Sequence, residues 1–326
     1  MKAVVGRELG SADLYDLVEV ARPAPKPGEV CVKVRAVGVG YVDALVAAGR
    51  YQVRPPTPFT PGMEFSGTVE SLGAGVATCG VGDAVMAGAM GGGMAEFVVV
   101  SASAISPVPA GLSFEQAAGF RTNYMTAYHG LVDRAGLRKS DTVLVLGASG
   151  GVGAAAVDVA NALGAQVIAA CSTKAKRDFA LSHGARQAID YTDANWRDEL
   201  KKLTTGAGVD IVFDPVGGEF LEPAFRSLKW QGRHLVIGFA GGPIPALRAN
   251  LALLKGGALV GVDIRQFLAL EPDRAKANDK ALRELIARRL IDPAVGRVFP
   301  FESFREALTY ALAREGVGKT VLKVTD

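Results

Sequence analysis

The chain has 326 residues, a length that suits two domains better than one. It carries 36 basic against 33 acidic residues, and the resulting net charge of +3 is too balanced to favour a nucleic-acid or membrane partner. No apolar stretch approaches the ~20 residues that span a bilayer, and residues 1–20 resemble neither a signal nor a transit peptide, so we expect a cytoplasmic protein.

Residues 1–122 have the pattern of a β-rich domain. Apolar and polar residues alternate with period two in Val30–Val37, Gly67–Leu72 and Ala95–Val100, which predicts half-buried strands. Clusters of glycine and proline separate these runs, and the segment Ala44–Ala48 suits a single helical turn. Short strands with such punctuation are typical of an antiparallel barrel or sandwich.

From Asn123 onward, strands alternate with helices. The predicted strands are almost wholly apolar: Thr142–Leu146, Gln166–Ala170, Val209–Phe213, His234–Ile237 and Ala258–Val262. Helical segments such as Trp196–Leu203 and Phe220–Leu228 lie between them. This alternation predicts a parallel sheet that is covered by helices on both faces.

Residues 263–326 contain two predicted helices, Ala281–Leu290 and Phe304–Leu312, and a last strand, Thr320–Val324. This tail is too short to bury a core of its own. We therefore expect a nucleotide-binding domain at 123–262 inserted into a split domain made of 1–122 and 263–326.

The glycine-rich turn after Thr142–Leu146 is the strongest local signal of a ligand site. A small-residue helix, Val152–Leu163, follows it, so the turn joins a strand to a helix N-terminus, as nucleotide-phosphate sites do. Gly150 would allow a pyrophosphate to approach the backbone, and Gly153 would allow the helix to pack closely on the strand. A tight turn without a ligand is the alternative. The predicted cofactor-binding residues are Ala148, Ser149, Gly150, Gly151, Val152 and Gly153.

The end of the second predicted strand indicates which dinucleotide is bound. NAD enzymes usually carry an acidic residue there for the adenosine ribose, but the only one between Gly153 and Lys176 is Asp158, in mid-helix. The chain instead offers hydroxyls and cations, Ser172 and Lys176 among them, which suit a 2′-phosphate. We therefore expect NADPH. A solvated basic helix start is the alternative.

Histidine and cysteine are too scarce and scattered for a local zinc motif. The chain has three of each, and no Cys-x-x-Cys pair occurs. Structural zinc normally takes four such ligands at close spacing. We expect no metal.

Several stretches resemble the zinc-free medium-chain dehydrogenase/reductases of the quinone oxidoreductase, or zeta-crystallin-like, type. Besides the glycine turn they are Ala36–Asp43, Pro61–Gly67, Asn123–His129, Asp210–Gly218 and Gly316–Leu322. The resemblance runs from end to end. It implies an α/β fold with a doubly wound Rossmann domain inserted into a GroES-like β-barrel domain, and a homodimer joined at edge strands near Ala258–Val262. Zinc-containing relatives have a Gly-His-Glu motif where this chain has Gly62-Met63-Glu64.

The resemblance also implies individual cofactor contacts. Lys176 and a neighbouring small residue, Ser172, match positions at the 2′-phosphate, and Tyr191 matches the tyrosine that packs at the adenosine phosphate region. The other implied contacts are Arg314, Thr126 near the nicotinamide amide, and Phe239. For Tyr191 and Phe239 the alternative is an aromatic residue of the core.

The substrate side departs from the family pattern. Many of these reductases have Asn-Phe where this chain has Gly40-Tyr41, so the amide that could hydrogen-bond a substrate carbonyl is missing. Tyr41 either supplies a phenol or fills space, and Tyr51 matches a tyrosine at the mouth of the family's substrate cleft. Tyr41 and Tyr51 are therefore the predicted substrate-contacting residues.

The chain is thus predicted to be an enzyme, an NADPH-dependent reductase of quinones or other α,β-unsaturated carbonyls. Reduction of an enoyl thioester is an alternative, because Arg50 and Arg54 beside Tyr51 could meet a phosphorylated carrier. A non-catalytic NADPH-binding or RNA-binding protein is another, although no basic stripe supports RNA binding.

Overall fold

The computed structural model describes residues 1–325 and divides into two compact units. The first unit consists of Met1–Thr122 together with the chain from Pro293 onward, and the second is continuous from Asn123 to Asp292. Among residues 1–325, none of the helices combines the length and the hydropathy that crossing a bilayer requires.

Fifteen strands are described: β1 Lys2–Gly6, β2 Tyr15–Glu19, β3 Glu29–Val39, β4 Glu64–Leu72, β5 Ala84–Gly88, β6 Phe97–Ser101, β7 Ile105–Pro107, β8 Thr142–Leu146, β9 Gln166–Cys171, β10 Gln187–Asp190, β11 Val209–Asp214, β12 Leu228–Val236, β13 Ala258–Gly261, β14 Val295–Pro300 and β15 Lys319–Lys323. The α-helices are α1 Tyr41–Ala47, α2 Phe114–Ala117, α3 Arg121–Tyr128, α4 Gly151–Ala162, α5 Lys174–Ser182, α6 Trp196–Leu203, α7 Leu221–Arg226, α8 Asn250–Lys255, α9 Ile264–Leu270, α10 Pro272–Ala287 and α11 Phe304–Ala313. A π-helical turn, His129–Arg134, follows α3, and short 3₁₀ turns cover Ala12–Leu14, Gly218–Phe220 and Phe301–Ser303.

The first unit is organised around its longest strand, β3. Strands of this unit form a seven-stranded sheet in the order β14-β15-β3-β4-β5-β7, and β6 also pairs with β3. Because β4, β6 and β15 all pair with it, β3 is buried along most of its length, and Val30, Val32 and Val34 are fully covered. The predicted strand is therefore present, but it is more deeply buried than a half-exposed strand with period two.

The second unit contains the predicted parallel sheet. Its six strands lie in the order β10-β9-β8-β11-β12-β13, and every neighbouring pair is parallel. Counted from β8, this is the order 3-2-1-4-5-6 of a Rossmann fold. The strand order reverses between β8 and β11, and ligands of such sheets bind at the carboxyl ends of the strands at this switch point. The glycine turn follows β8 directly at this place.

The second unit extends further along the chain than the predicted limit at Val262. Helices α9 and α10 belong to it, and the return to the first unit begins at Pro293. The stretch 263–292 had been predicted to pack on the first domain.

A polar network explains why α10 stays with the second unit. The buried carboxylate of Asp133 hydrogen-bonds Nδ1 of His129 at 2.8 Å, Nδ2 of Asn278 at 2.7 Å and Nε of Arg274 at 3.0 Å. The ring of Phe267, on α9, stacks on His129 with centroids 3.7 Å apart. Separating these helices from the unit would leave a buried carboxylate without its partners, which is costly.

Candidate functional site

The turn between β8 and α4 has the geometry of a phosphate-binding loop. Gly147 adopts φ +59°, a conformation that disfavours other residues, and its carbonyl accepts a hydrogen bond from Gly150 N at 3.0 Å. Gly150 caps α4 with its backbone alone, and the first helical bond runs from Ala154 N to Gly150 O. The amides of the first helical turn therefore have no partner inside the helix and can receive an anion.

Two glycines in this turn are required by close contacts. A Cβ on Gly153 would lie 2.2 Å from the carbonyl oxygen of Gly147 and 2.9 Å from Cα of Ala148, so α4 rests directly on the turn. A Cβ on Gly151 would lie 2.7 Å from Nδ2 of Asn123. Ala148 is fully buried beneath the turn, whose partly exposed residues are Gly147, Gly150, Gly151 and Val152.

The thiol of Cys171, the last residue of β9, has both Ser149 and Lys176 near it. Burial raises the pKa of Cys171, while hydrogen bonds with Ser149 and the charges of Lys176 and Arg177 act in the opposite direction. Ser172 follows directly and is partly exposed. The glycine turn and the start of α5 are therefore close to each other in the structure. In the sequence, only their predicted roles in one dinucleotide site had connected these two segments.

The cations of α5 differ in their surroundings. Lys174 pairs with Asp178 at 2.6 Å, and Arg177 pairs with Asp190 at 2.5 Å. Although desolvation opposes it, hydrogen bonds from Thr192 and Arg177 hold the pKa of Asp190 below its usual value. Lys176 is half-buried, and its charge acts on the thiol of Cys171 at the end of β9.

Tyr191 and Phe239 have different environments. The ring of Tyr191 packs edge-on against Phe220, with centroids 4.6 Å apart, beside the core of the second unit. Phe239 is 39% exposed, and its ring lies 3.0 Å from the point that a Cβ on Gly217 would occupy. Phe239 is thus an exposed aromatic residue in the loop after β12, whereas Tyr191 packs against the core of the second unit.

The loop after β11 is fixed by a buried carboxylate that the sequence analysis missed. Oδ1 of Asp214 accepts hydrogen bonds from Val216 N at 2.9 Å and Gly217 N at 2.7 Å, and its Oδ2 lies 2.9 Å from Nε2 of His234. Both side chains are at most 1% exposed. Asp214 therefore holds the loop that lies beside Phe239. An acidic residue at the carboxyl end of a mostly apolar strand, followed by Pro-Val-Gly-Gly, was the available signal.

Thr126 is buried on α3, which another polar contact joins to α4. The hydroxyl of Tyr124 donates to Oδ2 of Asp158 at 2.5 Å. Burial raises the pKa of Asp158 to about 7. The one acidic residue in α4 is thus engaged within the fold and is not available to a ribose.

The remaining predicted site residues belong to the first unit. Tyr41 begins α1, and the guanidinium of Arg314 lies 5.7 Å above its ring. Arg314 ends α11 in a left-handed conformation, φ +59°. Tyr51 is partly buried against the core of this unit. The structure brings Tyr41 and Arg314 together.

Two family models match the chain. Residues 26–110 match the model described as alcohol dehydrogenase GroES-like domain, and residues 151–279 match the one described as zinc-binding dehydrogenase. Within residues 1–325, no group of three or more His, Cys, Asp or Glu side chains is arranged to hold a metal ion.

Named relatives resemble almost the whole chain. Quinone oxidoreductase-like protein 2 of Rattus norvegicus is 36% identical over 307 residues, which cover 94% of this chain and 88% of the relative. Quinone oxidoreductase of Homo sapiens is 30% identical over 325 residues, 99% of this chain and 97% of the relative. The solved structure of Escherichia coli quinone oxidoreductase complexed with NADPH superposes with a TM-score of 0.90 at 26% identity, covering 99% of this chain and 100% of the other.

Proposed function

Because this chain belongs to the zinc-free quinone oxidoreductase family of medium-chain dehydrogenase/reductases and is an NADPH-dependent type of oxidoreductase, we propose that it reduces quinones or other α,β-unsaturated carbonyls without a metal. The observation that carries the proposal is the glycine turn at the switch point of the sheet, with Ser149 and Lys176 beside it at the end of β9. The Gly62-Met63-Glu64 sequence, which stands where zinc-containing relatives have Gly-His-Glu, supports chemistry without zinc.

The residues of the second unit fit NADPH. The backbone approach at Gly153 leaves no space for a side chain between α4 and the turn, and the amides at the start of the helix are suited to bind an anion. In our proposal those amides bind the pyrophosphate, and Ser172 and Lys176 bind the 2′-phosphate. Tyr191 packs near the adenosine, while Thr126, Phe239 and Arg314 contact other parts of the dinucleotide.

Once bound, NADPH supplies the hydride and its two electrons at C4 of the nicotinamide. The protein must orient the acceptor and exclude water during the hydride transfer. No dedicated general acid is needed, because the reduced quinone can take its proton from solvent. Tyr41 and Tyr51 contact the acceptor in our proposal. A phenol hydroxyl at this place would stabilise the negative charge that develops on the carbonyl oxygen.

An assay of NADPH oxidation tests the proposal. Protein treated with a metal chelator should oxidise NADPH steadily in the presence of quinones or enones, at the rate of untreated protein. Background rates with every acceptor would contradict the proposed substrates. Loss of activity with the chelator, restored by Zn²⁺, would contradict the metal-free mechanism.

Lys176→Ala should weaken NADPH binding by about tenfold or more and leave NADH binding nearly unchanged, because a hydrogen bond to a charged group contributes about 1.5–3 kcal/mol. Titrations of both nucleotides, followed by fluorescence, measure the two dissociation constants. The matched control is Lys174→Ala, which removes a lysine that pairs with Asp178 on the same helix. Equal weakening of both nucleotides in the Lys176 variant would refute the 2′-phosphate contact.

We also propose a homodimer formed at β13. This strand lies at the edge of the parallel sheet, so one side of its backbone is available to a second copy. Leu259 on this strand is exposed, and so are Leu253 at 80% and Leu254 on α8, the helix that precedes β13 in the chain. Such surfaces in a folded protein typically mark an interface.

Leu259→Lys should convert the dimer to a monomer, because it places a charge in the proposed seam. Light scattering during size-exclusion chromatography measures the mass. Val81→Lys, which changes an exposed valine of the first unit, should leave the mass unchanged. A monomeric wild-type protein would rule out the dimer.

A further inference from the structure

Asp158 is the only charged side chain in the segment that carries the glycine turn. From Thr142 to Cys171, which covers β8, the turn, α4 and β9, the sequence contains no other Asp or Glu and no Lys, Arg or His. Asp158 is buried, with 6% of its surface exposed. Burying a carboxylate in so apolar a segment is costly, and the proposed reaction does not use this group.

No cation balances the carboxyl group of Asp158. The buried carboxylate of Glu64, in the first unit, has the ammonium of Lys319 at 3.3 Å. Among residues 1–325, no Lys, Arg or His has a comparable effect on Asp158, and the charge that does act on it is the carboxylate of Asp292, which has the same sign. Burial first, and the like charge of Asp292 in addition, therefore favour the neutral form of Asp158.

Two hydrogen bonds hold Asp158 in place. The hydroxyl of Tyr124, on α3, donates to its Oδ2 at 2.5 Å, and the backbone N–H of Asp292 donates to the same carboxyl group. Burial raises the pKa of Asp158 to about 7, although both hydrogen bonds favour the ionised form. Because a phenol hydroxyl both donates and accepts, Tyr124 keeps this contact when the carboxyl group takes up a proton. The proton therefore binds and leaves without separating α3 from α4.

Asp158 lies on the same helix as the proposed pyrophosphate site. It follows Gly151, the first residue of α4, by seven residues, which corresponds to about 10 Å along the helix axis. At this distance and an effective dielectric constant of about 20, repulsion between two unit charges changes a binding constant by about tenfold, and salt reduces the effect. An anion at the turn and a negative charge on Asp158 therefore oppose each other.

We propose that Asp158 takes up a proton when NADPH binds, and that the affinity for NADPH depends on pH through this residue. This inference rests on the proposed binding of the pyrophosphate at α4. A ligand that disfavours the ionised form of a group promotes its protonation, and protonation strengthens binding of the ligand by the same factor. The proton comes from solvent and returns to it when the cofactor leaves, and it is separate from the proton that the reduced quinone takes.

The sign of the pH dependence follows from the two charge states. At pH 6 Asp158 is mostly neutral and does not repel the phosphates, whereas at pH 8 it is mostly ionised and does. The affinity for NADPH should therefore fall as the pH rises through this range. The 2′-phosphate of NADPH also titrates near pH 6, so the effect of Asp158 is measured as a difference between two proteins that bind the same ligand.

Asp158→Asn tests the inference, because asparagine has a similar shape and is neutral at every pH. Calorimetric titration of NADPH into the protein, in two buffers of different ionisation enthalpy, measures the protons taken up per cofactor bound. At pH 7 we expect wild type to take up about 0.3 proton more than Asp158→Asn. Between pH 6 and pH 8 the NADPH dissociation constant of wild type should rise about threefold relative to that of the variant.

Asp210→Asn is the matched control. The carboxylate of Asp210, in the same unit, lies 2.8 Å from Nζ of Lys229, so a cation already balances its charge. Proton uptake by this variant should equal that of wild type. Tyr124→Phe is a second test, which does not depend on whether Asp158→Asn folds. It removes a hydrogen bond that favours the ionised form of Asp158, so the affinity for NADPH should fall at a higher pH than in wild type.

Equal proton uptake by wild type and Asp158→Asn would overturn the inference, and so would a pH dependence of NADPH affinity that neither Asp158→Asn nor Tyr124→Phe changes. If wild type then still binds NADPH and reduces quinones, the proposed function stands. Proton uptake that depends on Asp158, in a protein that reduces no quinone or enone, would support the inference and contradict the proposed function. Failure of wild type to bind NADPH would contradict both.

Discussion

Replacing Gly153 with valine is expected to abolish NADPH binding and to destabilise the second unit. The new Cβ would lie 2.2 Å from the carbonyl oxygen of Gly147 and 2.9 Å from Cα of Ala148. Both are backbone atoms of the turn, so no side-chain rotation relieves the contact. Helix α4 would have to move away from β8, and its N-terminal amides would move with it. Overpacking of this kind costs about 1–3 kcal/mol or more.

Urea unfolding and fluorescence titration with NADPH measure the two effects of this change. Gly150→Ala is the matched control for the fold, since a Cβ at residue 150 would lie 3.5 Å from the Gly147 carbonyl oxygen, an ordinary contact. Its stability should stay within about 0.5 kcal/mol of wild type. Wild-type NADPH affinity in Gly153→Val would show that the close packing of helix and turn does not matter for binding.

Replacing Asp214 with alanine should destabilise the second unit by about 2–5 kcal/mol and weaken NADPH binding. The change leaves the buried N–H groups of Val216 and Gly217 without an acceptor and removes the partner of His234. Each buried group left unsatisfied costs about 1–3 kcal/mol. The loop from Pro215 to Gly218 would lose its fixed conformation next to Phe239.

Asp214→Asn separates the loop from the histidine contact. Both backbone N–H groups bond to Oδ1, which an asparagine retains, whereas its amide nitrogen would face Nε2 of His234. This variant should keep most of the NADPH affinity and lose less stability than the alanine variant, by the same two measurements. Identical losses in both variants would mean that the histidine contact, and not the loop, determines the effect.

The sequence predicted the features that depend on neighbouring residues. The apolar run of β8, the glycines after it and the small residues of α4 are adjacent in the chain, and the strand, turn and helix lie where they were expected. The four-residue strand β10 was missed, because Gln187 and Asp190 at its ends conceal so short an apolar pattern.

Features that depend on distant residues were beyond the sequence. The limit of the second unit was placed 30 residues too early, because Asp133 and Arg274 reveal their contact only in the fold. Likewise, no spacing rule connects Lys319 with Glu64, since 255 residues separate them. Arg314 and Tyr41 are also far apart in the sequence, so their contact could not be predicted from spacing either. Only the family resemblance had indicated Arg314.

The place of β15 in the sheet sets an order for folding during synthesis. The second unit is continuous in the chain, so all of its strands have been synthesised once Asp292 has left the ribosome. Strand β3 pairs with β15 from Ala36 to Val39, and that partner is made nearly 300 residues later. The first unit must therefore wait, with Ala36–Val39 of β3 lacking this partner, until the whole second unit has been synthesised between its two parts. An exposed strand edge over that interval favours pairing with other chains.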